Sequence, residues 1–332
     1  MRPYILGCAG LEVSDAEKAF FREAQPWGFI LFARNVDTPQ QLRTLCATLR
    51  DSVGWHAPIL IDQEGGRVAR MRGPHWREHL PPLDLARCAD PVRAFWLRGR
   101  LLAEDLRGVG IDVNCVPMLD IVRPDTHPIL KNRCYGADPA TVAQLGRTLA
   151  EAHMAGGVLP VMKHMPGHGL STVDSHLDLP RVTAAASTLR DVDFQPFSAL
   201  SDLAMAMSAH VVFEAFDPAR PATQSPIMIS MIREELGFSG LLMTDDISMQ
   251  ALSGSVVERA QAALAAGCDM VLHCNGDLAE MQAIAGALGP SPEPSRARAQ
   301  AALAARIPPD QTPTPVDIAA CAAELEALER TV

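Results

Sequence analysis

The most constraining feature of this 332-residue chain is an eightfold alternation of short apolar runs with helical segments. The runs are Tyr4–Cys8, Phe29–Ala33, Ile59–Ile61, Val113–Val116, Val158–Met162, Ala204–Ala209, Leu241–Thr244 and Met270–Cys274. Most are nearly continuous in apolar residues, as strands buried on both faces of a parallel sheet are. Helix signals fall between them. Ser14 to Glu17 has the form of a capping box, and Thr38-Pro39, Asp90-Pro91 and Asp138-Pro139 each set an N-cap residue before a proline. Ser255–Ala266 and Asp277–Leu288 close the alternation as the last two helices. Eight strand–helix units predict a single-domain (β/α)8 barrel of the α/β class. An open doubly wound sheet is the alternative, but Gly7-Cys-Ala-Gly10 matches neither of the glycine-rich turns such a sheet uses for nucleotides.

One domain is expected over 1–332, with the core at about 4–290 and a Pro/Ala-rich tail over 291–332. That tail carries a helical patch near Ala299–Ala305 and a final helix over Val316–Glu329. The segments Gln63–Ala89 and Lys163–Leu189 exceed what a plain barrel needs, and the second is expected to be a mobile loop after strand five. A hydrophobic share of 48% suits a large core, and a net charge of −10 gives no reason to bind nucleic acid or anionic lipid. No apolar run reaches the roughly 18 residues of a membrane span. Eight scattered cysteines without a CxxC pair read as free thiols in a reducing cytoplasm.

Polar residues follow the apolar runs: Arg34, Asp62, Asp120, Lys163-His164, His210, Asp245 and Asn275. In a barrel these positions share the C-terminal rim, where active sites are built. The densest stretch runs from Lys163 to His176 and holds three histidines. Catalytic metal is the first chemistry to weigh against it. The His164–His168 spacing would need a helix that Pro166-Gly167 breaks, and no HxH pair ends the first strand.

Lys163-His-Met-Pro-Gly-His-Gly169, followed by Asp174-Ser-His176, resembles the signature of glycoside hydrolase family 3, in particular its β-N-acetylglucosaminidase (β-hexosaminidase) branch of the NagZ type. Gly28–Asn35, Ile61–Arg70, Asn114–Asp120, Met207–His210 and Gly240–Met249 agree in order. Two departures stand out. Met165 replaces the usual Phe, and Leu130–Tyr135 keeps Arg133 among altered neighbours.

The resemblance implies a retaining exo-β-N-acetylglucosaminidase acting on 1,6-anhydro-N-acetylmuramic acid muropeptides in cytoplasmic cell-wall recycling. A monomer with no cofactor and no metal is expected. Asp245 would be the nucleophile, and His176 with Asp174 the acid/base pair. Asp62, Arg70, Arg133, Lys163 and His164 would hold the sugar hydroxyls, with His210 and Met249 lining the same site. Glu64 is the rival acid, Arg67 is expected to be structural and to pair with Asp120, and Asp246 suits a helix N-cap. A phosphorylase using the same intermediate, a metal-dependent amidohydrolase and a non-catalytic sugar-binding protein are the competing readings.

Overall fold

A computed structural model describes residues 1–171, 178–307, 311 and 313–332. Asp174 and His176, within the loop expected to move, lie outside the described residues.

The strands are β1 (Tyr4–Leu6), β2 (Gly28–Leu31), β3 (Ile59–Ile61), β4 (Val113–Asn114), β5 (Leu159–Pro160), β6 (Met162–Met165), β7 (Arg181–Val182), β8 (Met205–Ser208), β9 (Val212–Phe213), β10 (Leu241–Asp246) and β11 (Met270–His273). Nine of them form one parallel sheet in the order β5-β4-β3-β2-β1-β11-β10-β8-β6. Its two outermost members, β5 and β6, are consecutive in the chain and separated by Val161 alone. They act as one stave, so the sheet curls into an eight-stave barrel. Leu119 N–H donates to the Lys163 carbonyl across this seam. A small parallel pair, β7 with β9, lies beside the rim.

The alternation along each strand explains the apolar runs. Ile5, Ile30, Leu60, Met205, Met207, Leu241, Met243, Met270 and Leu272 fill the barrel interior. Their sequence neighbours Leu6, Phe29, Leu31, Ile59, Ile61, Leu242 and Val271 face the surrounding helices. Both faces are therefore apolar, and each fully buried aliphatic side chain contributes roughly 1.5–3 kcal/mol.

The helices start where their caps indicate. Thr38, Asp90 and Asp138 accept from the backbone N–H of Gln41, Arg93 and Thr141, each with proline opening the helix. The Ser14–Glu17 capping box opens Asp15–Ala24. The fifth helical unit is broken into Ala186–Thr188, a wide turn over Leu189–Asp193, and Gln195–Ala199.

The tail is part of the barrel. Its helix Glu293–Ala304 is longer than the expected patch, and Ala299 and Ala302 pack with Trp27 and the interior strand residues. The buried Asp269 carboxylate anchors it, accepting from Ser295 Oγ, the Arg298 and Arg233 guanidiniums and the Leu242 amide. The last helix, Ile318–Glu329, docks on Pro91–Gly108, with Arg93 bidentate to Glu324.

Candidate active site

A cavity of about 470 Å³ opens at the C-terminal end of the strands, its floor made by Met207, Leu272 and Cys274. Asp62, Arg70, Arg133, Lys163, His164, Asp245 and Met249 all line it. Sequence separations of up to 187 residues thus close into one pocket.

Lys163 and His164 lie within β6, because the fifth stave runs on to Met165, past the expected end at Met162. Met165, the departure from the family pattern, is fully buried in the outer core. Lys163 Nζ stands 2.7 Å from Asp62 Oδ1 and 2.6 Å from Glu64 Oε1. Arg70 donates to the other Asp62 oxygen at 3.1 Å. Arg133 grips Glu64 with Nε and Nη2 at 2.9 and 2.7 Å. Burial by itself would raise both carboxyl pKa values. The neighbouring cations outweigh it, holding Asp62 well below the carboxylate range and Glu64 at about 2. Lys163 is pushed the opposite way: burial lowers its pKa, but Asp62 and Glu64 raise it more, so it stays charged.

Glu64 is therefore no reservoir of protons near neutral pH. It organises the Arg133 and Lys163 side chains, and Arg133 keeps a defined pose despite its altered neighbours.

His164 Nδ1 is 2.7 Å from Asp120 Oδ2. A buried, ionised carboxylate only accepts, so Nδ1 carries the proton and Nε2 is the ring atom with no hydrogen bond among the described residues. The other Asp120 oxygen accepts the His168 amide at 2.6 Å. This replaces the pairing expected of Arg67 with Asp120: Arg67 lines the cavity and donates to the Ile129 carbonyl. His168 stacks edge-on to His164, and burial lowers its pKa to about 4.

Asp245 is the penultimate residue of β10, half-buried at the mouth, with Oδ1 accepting the Asp246 amide at 2.8 Å. Burial would raise its pKa. The neighbouring His164 and His210 rings and the Asp246 N–H bring the net shift downward, so it is an anion at neutral pH. Asp246 starts no helix, contrary to the N-cap reading: its carboxylate accepts from Ser248 and Cys274, and the next helix begins at Val256.

His210 was expected to line the sugar site. It is instead fully buried behind the wall, with Nδ1 2.8 Å from Thr223 Oγ1 and Nε2 3.0 Å from the Asp246 carbonyl. Both ring nitrogens are used, so the ring braces the backbone next to Asp245 rather than meeting a ligand.

Sequence reasoning passed over Gln63 and Phe32. Gln63 Oε1 accepts the amides of Arg70 and Met71, and its Nε2 donates to the Met71 carbonyl. This folds the loop that delivers Arg70 onto Asp62. The Phe32 ring lies under both Arg34 and Arg70, whose guanidinium carbons are 5.2 and 5.1 Å from its centroid. Only the position of Gln63, one residue beyond Asp62, could have flagged it.

Comparison with known proteins agrees with this architecture. The model of the glycosyl hydrolase family 3 N-terminal domain matches residues 6–302. A β-hexosaminidase of Alkalilimnicola ehrlichii is 38% identical over 82% of this chain and 80% of its own. One from Chromobacterium violaceum is 37% identical over 89% of this chain and 84% of its own. The crystal structure of NagZ from Neisseria gonorrhoeae in complex with N-trifluoroacetyl-D-glucosamine superposes with a TM-score of 0.83, at 29% identity, covering 99% of this chain and 96% of that one. The chain belongs to glycosyl hydrolase family 3.

Proposed function

We propose that the protein is a retaining exo-β-N-acetylglucosaminidase that releases terminal GlcNAc from muropeptides bearing 1,6-anhydro-N-acetylmuramic acid, in the cytoplasmic recycling of cell wall. The observation that carries this reading is the ionised Asp245 facing one cavity with the Asp62–Lys163–Glu64–Arg133 cluster. Charged, fixed donors and acceptors of this kind suit a ring of sugar hydroxyls. The names of the β-hexosaminidase relatives support the choice of sugar. Eight buried free thiols support a reducing compartment.

In this mechanism the Asp245 carboxylate attacks the anomeric carbon while the His176 imidazolium passes its proton to the departing oxygen. Asp174 fixes the ring and favours its charged form. The neutral imidazole then takes a proton from water as that water displaces Asp245, and two inversions leave the configuration retained. Asp62, Arg70, Arg133, Lys163 and His164 Nε2 hold the hydroxyls, and Met249 meets the N-acetyl methyl. His210 acts by bracing the Asp246 carbonyl. One chain suffices for the site as drawn, so a monomer is active.

Hydrolysis of 4-nitrophenyl β-GlcNAc, followed by proton NMR of the first sugar released, tests the reading. The β-anomer should appear first, at a rate indifferent to inorganic phosphate. Release of the α-anomer first, or turnover that depends on phosphate, would overturn it.

A further inference from the structure

Five cations line the cavity, and four of them are accounted for locally. Lys163, Arg70 and Arg133 are paired with Asp62 and Glu64, and Arg67 reaches the Ile129 carbonyl. Arg34 is different. Its Nε donates to the Cys8 carbonyl at 3.0 Å and its Nη2 to the Cys274 carbonyl. Both acceptors are neutral, and among the described residues no carboxylate forms an ion pair with this guanidinium. Its Nη1 makes no hydrogen bond among the described residues. The side chain is thus rigidly held at both bonded nitrogens, supported by the Phe32 ring, and carries an uncompensated charge.

Its position relative to Asp245 follows from one peptide. The Cys274 carbonyl accepts from Arg34, and the Cys274 amide donates to Asp246 Oδ1 at 3.1 Å. The guanidinium therefore lies one peptide unit from the residue that follows Asp245, on the half-exposed side of the cavity. Lys163 lies on β6, across the mouth from this point, while Arg70, which holds Asp62, shares the Phe32 ring with Arg34. On the proposed reading, a sugar that meets Lys163 and turns its anomeric carbon to Asp245 would direct its leaving group toward the Arg34 side of the mouth.

We infer that Arg34, seated on Phe32, forms the charge-reading part of a leaving-group subsite and takes a carboxylate carried by the aglycone. This rests on the reading of the Asp245 cavity as the sugar site. A fixed, planar guanidinium with neutral protein partners is suited to a charge-assisted bond with an incoming anion and incurs little reorganisation on binding it. A surplus cation on the rim also raises the encounter rate of anionic substrates, an effect that salt weakens.

The test compares GlcNAc-β-1,4-N-acetylmuramic acid with the same disaccharide whose lactyl carboxylate is converted to the amide. The two differ by one charge and share one leaving-group ring. Wild type should favour the acid in kcat/KM by about fivefold or more, and Arg34→Gln should erase that ratio. Arg34→Lys should restore part of it.

A structural staple alone predicts that Arg34→Gln lowers both rates in parallel and leaves the ratio intact, which would overturn the inference. A wild-type measurement covers the case of a variant that folds poorly. Raising ionic strength should raise KM for the acid and leave KM for the amide unmoved, and a shared response contradicts the proposal. Acceleration by inorganic phosphate that Arg34→Gln abolishes would reassign the residue to an incoming acceptor. No turnover of 4-nitrophenyl β-GlcNAc or of either disaccharide by wild type would remove the parent reading, and this one with it.

Discussion

Lys163 Nζ stands 2.6 Å from Glu64 Oε1, and both side chains are 2% exposed. A buried pair of this kind is costly to break by halves, because the survivor is left charged without its partner. Glu64→Gln should therefore lower unfolding stability by about 3 kcal/mol and remove most activity by loosening Arg133. Urea unfolding checks the first effect. An unchanged midpoint would show that the carboxylate contributes nothing to the cluster.

Gly169 has no room for a side chain: a Cβ there would lie 1.9 Å from the Ile121 carbonyl oxygen. Gly10 meets nothing within 4 Å. Gly169→Ala should destabilise by about 3 kcal/mol and impair turnover, since this packing roots the segment that leads to Asp174 and His176. Gly10→Ala should stay within about 0.5 kcal/mol of wild type. Thermal unfolding of the two variants side by side decides it, and equal midpoints would contradict the geometry.

His153 gives a pH dependence with a definite sign. Its Nδ1 donates to the Leu149 carbonyl, and its Nε2 accepts from Asn114 Nδ2 at 3.0 Å. The Asn114 amide is oriented by two backbone bonds to Gln63, so Nε2 faces a donor and cannot readily take a proton. Burial lowers the His153 pKa to about 4. Below pH 6.5 the unfolded chain binds a proton there that the folded chain refuses. Stability should fall as pH drops from about 6.5 to 4, with His153 contributing up to about 3 kcal/mol of the loss and nothing further below. In His153→Gln the decline should be shallower. An identical slope in both proteins would remove His153 as a cause.

Gln63 holds the Arg70 and Met71 amides with one side-chain oxygen. Gln63→Glu turns the donor that faces the Met71 carbonyl into an acceptor, so the loop should shift and Arg70 should leave Asp62. KM for 4-nitrophenyl β-GlcNAc should rise about tenfold, with less change in kcat. Combining the change with Arg70→Ala should add little, since both remove one interaction. Full additivity would mean that Gln63 acts elsewhere.

The barrel was legible because its signal is local: eight runs apolar on both faces, punctuated by Thr38-Pro39, Asp90-Pro91 and similar caps. The rim was legible for the same reason, since Asp62 directly follows β3 and Lys163 and Asp245 lie within three residues of where their staves end. What eluded the sequence is relational. Nothing near Glu64 announces that it bridges Arg133 and Lys163, 69 and 99 residues away. His210 and a sugar-facing histidine read alike until Thr223 and the Asp246 carbonyl are seen on either side of the ring. The tail helix carries little apolar patterning, and its place beneath the barrel is set by Asp269 gathering Ser295, Arg298 and Arg233.

The central claim is a covalent bond between Asp245 and the released sugar. Intact mass and peptide mapping of His176→Ala, mixed with 2,4-dinitrophenyl β-GlcNAc, tests it directly, because the activated leaving group needs no acid while the water step still needs a base. The account predicts a one-sugar adduct on the peptide containing Asp245, absent in Asp245→Asn. Steady turnover with no adduct, or an adduct on any other carboxylate, would contradict it.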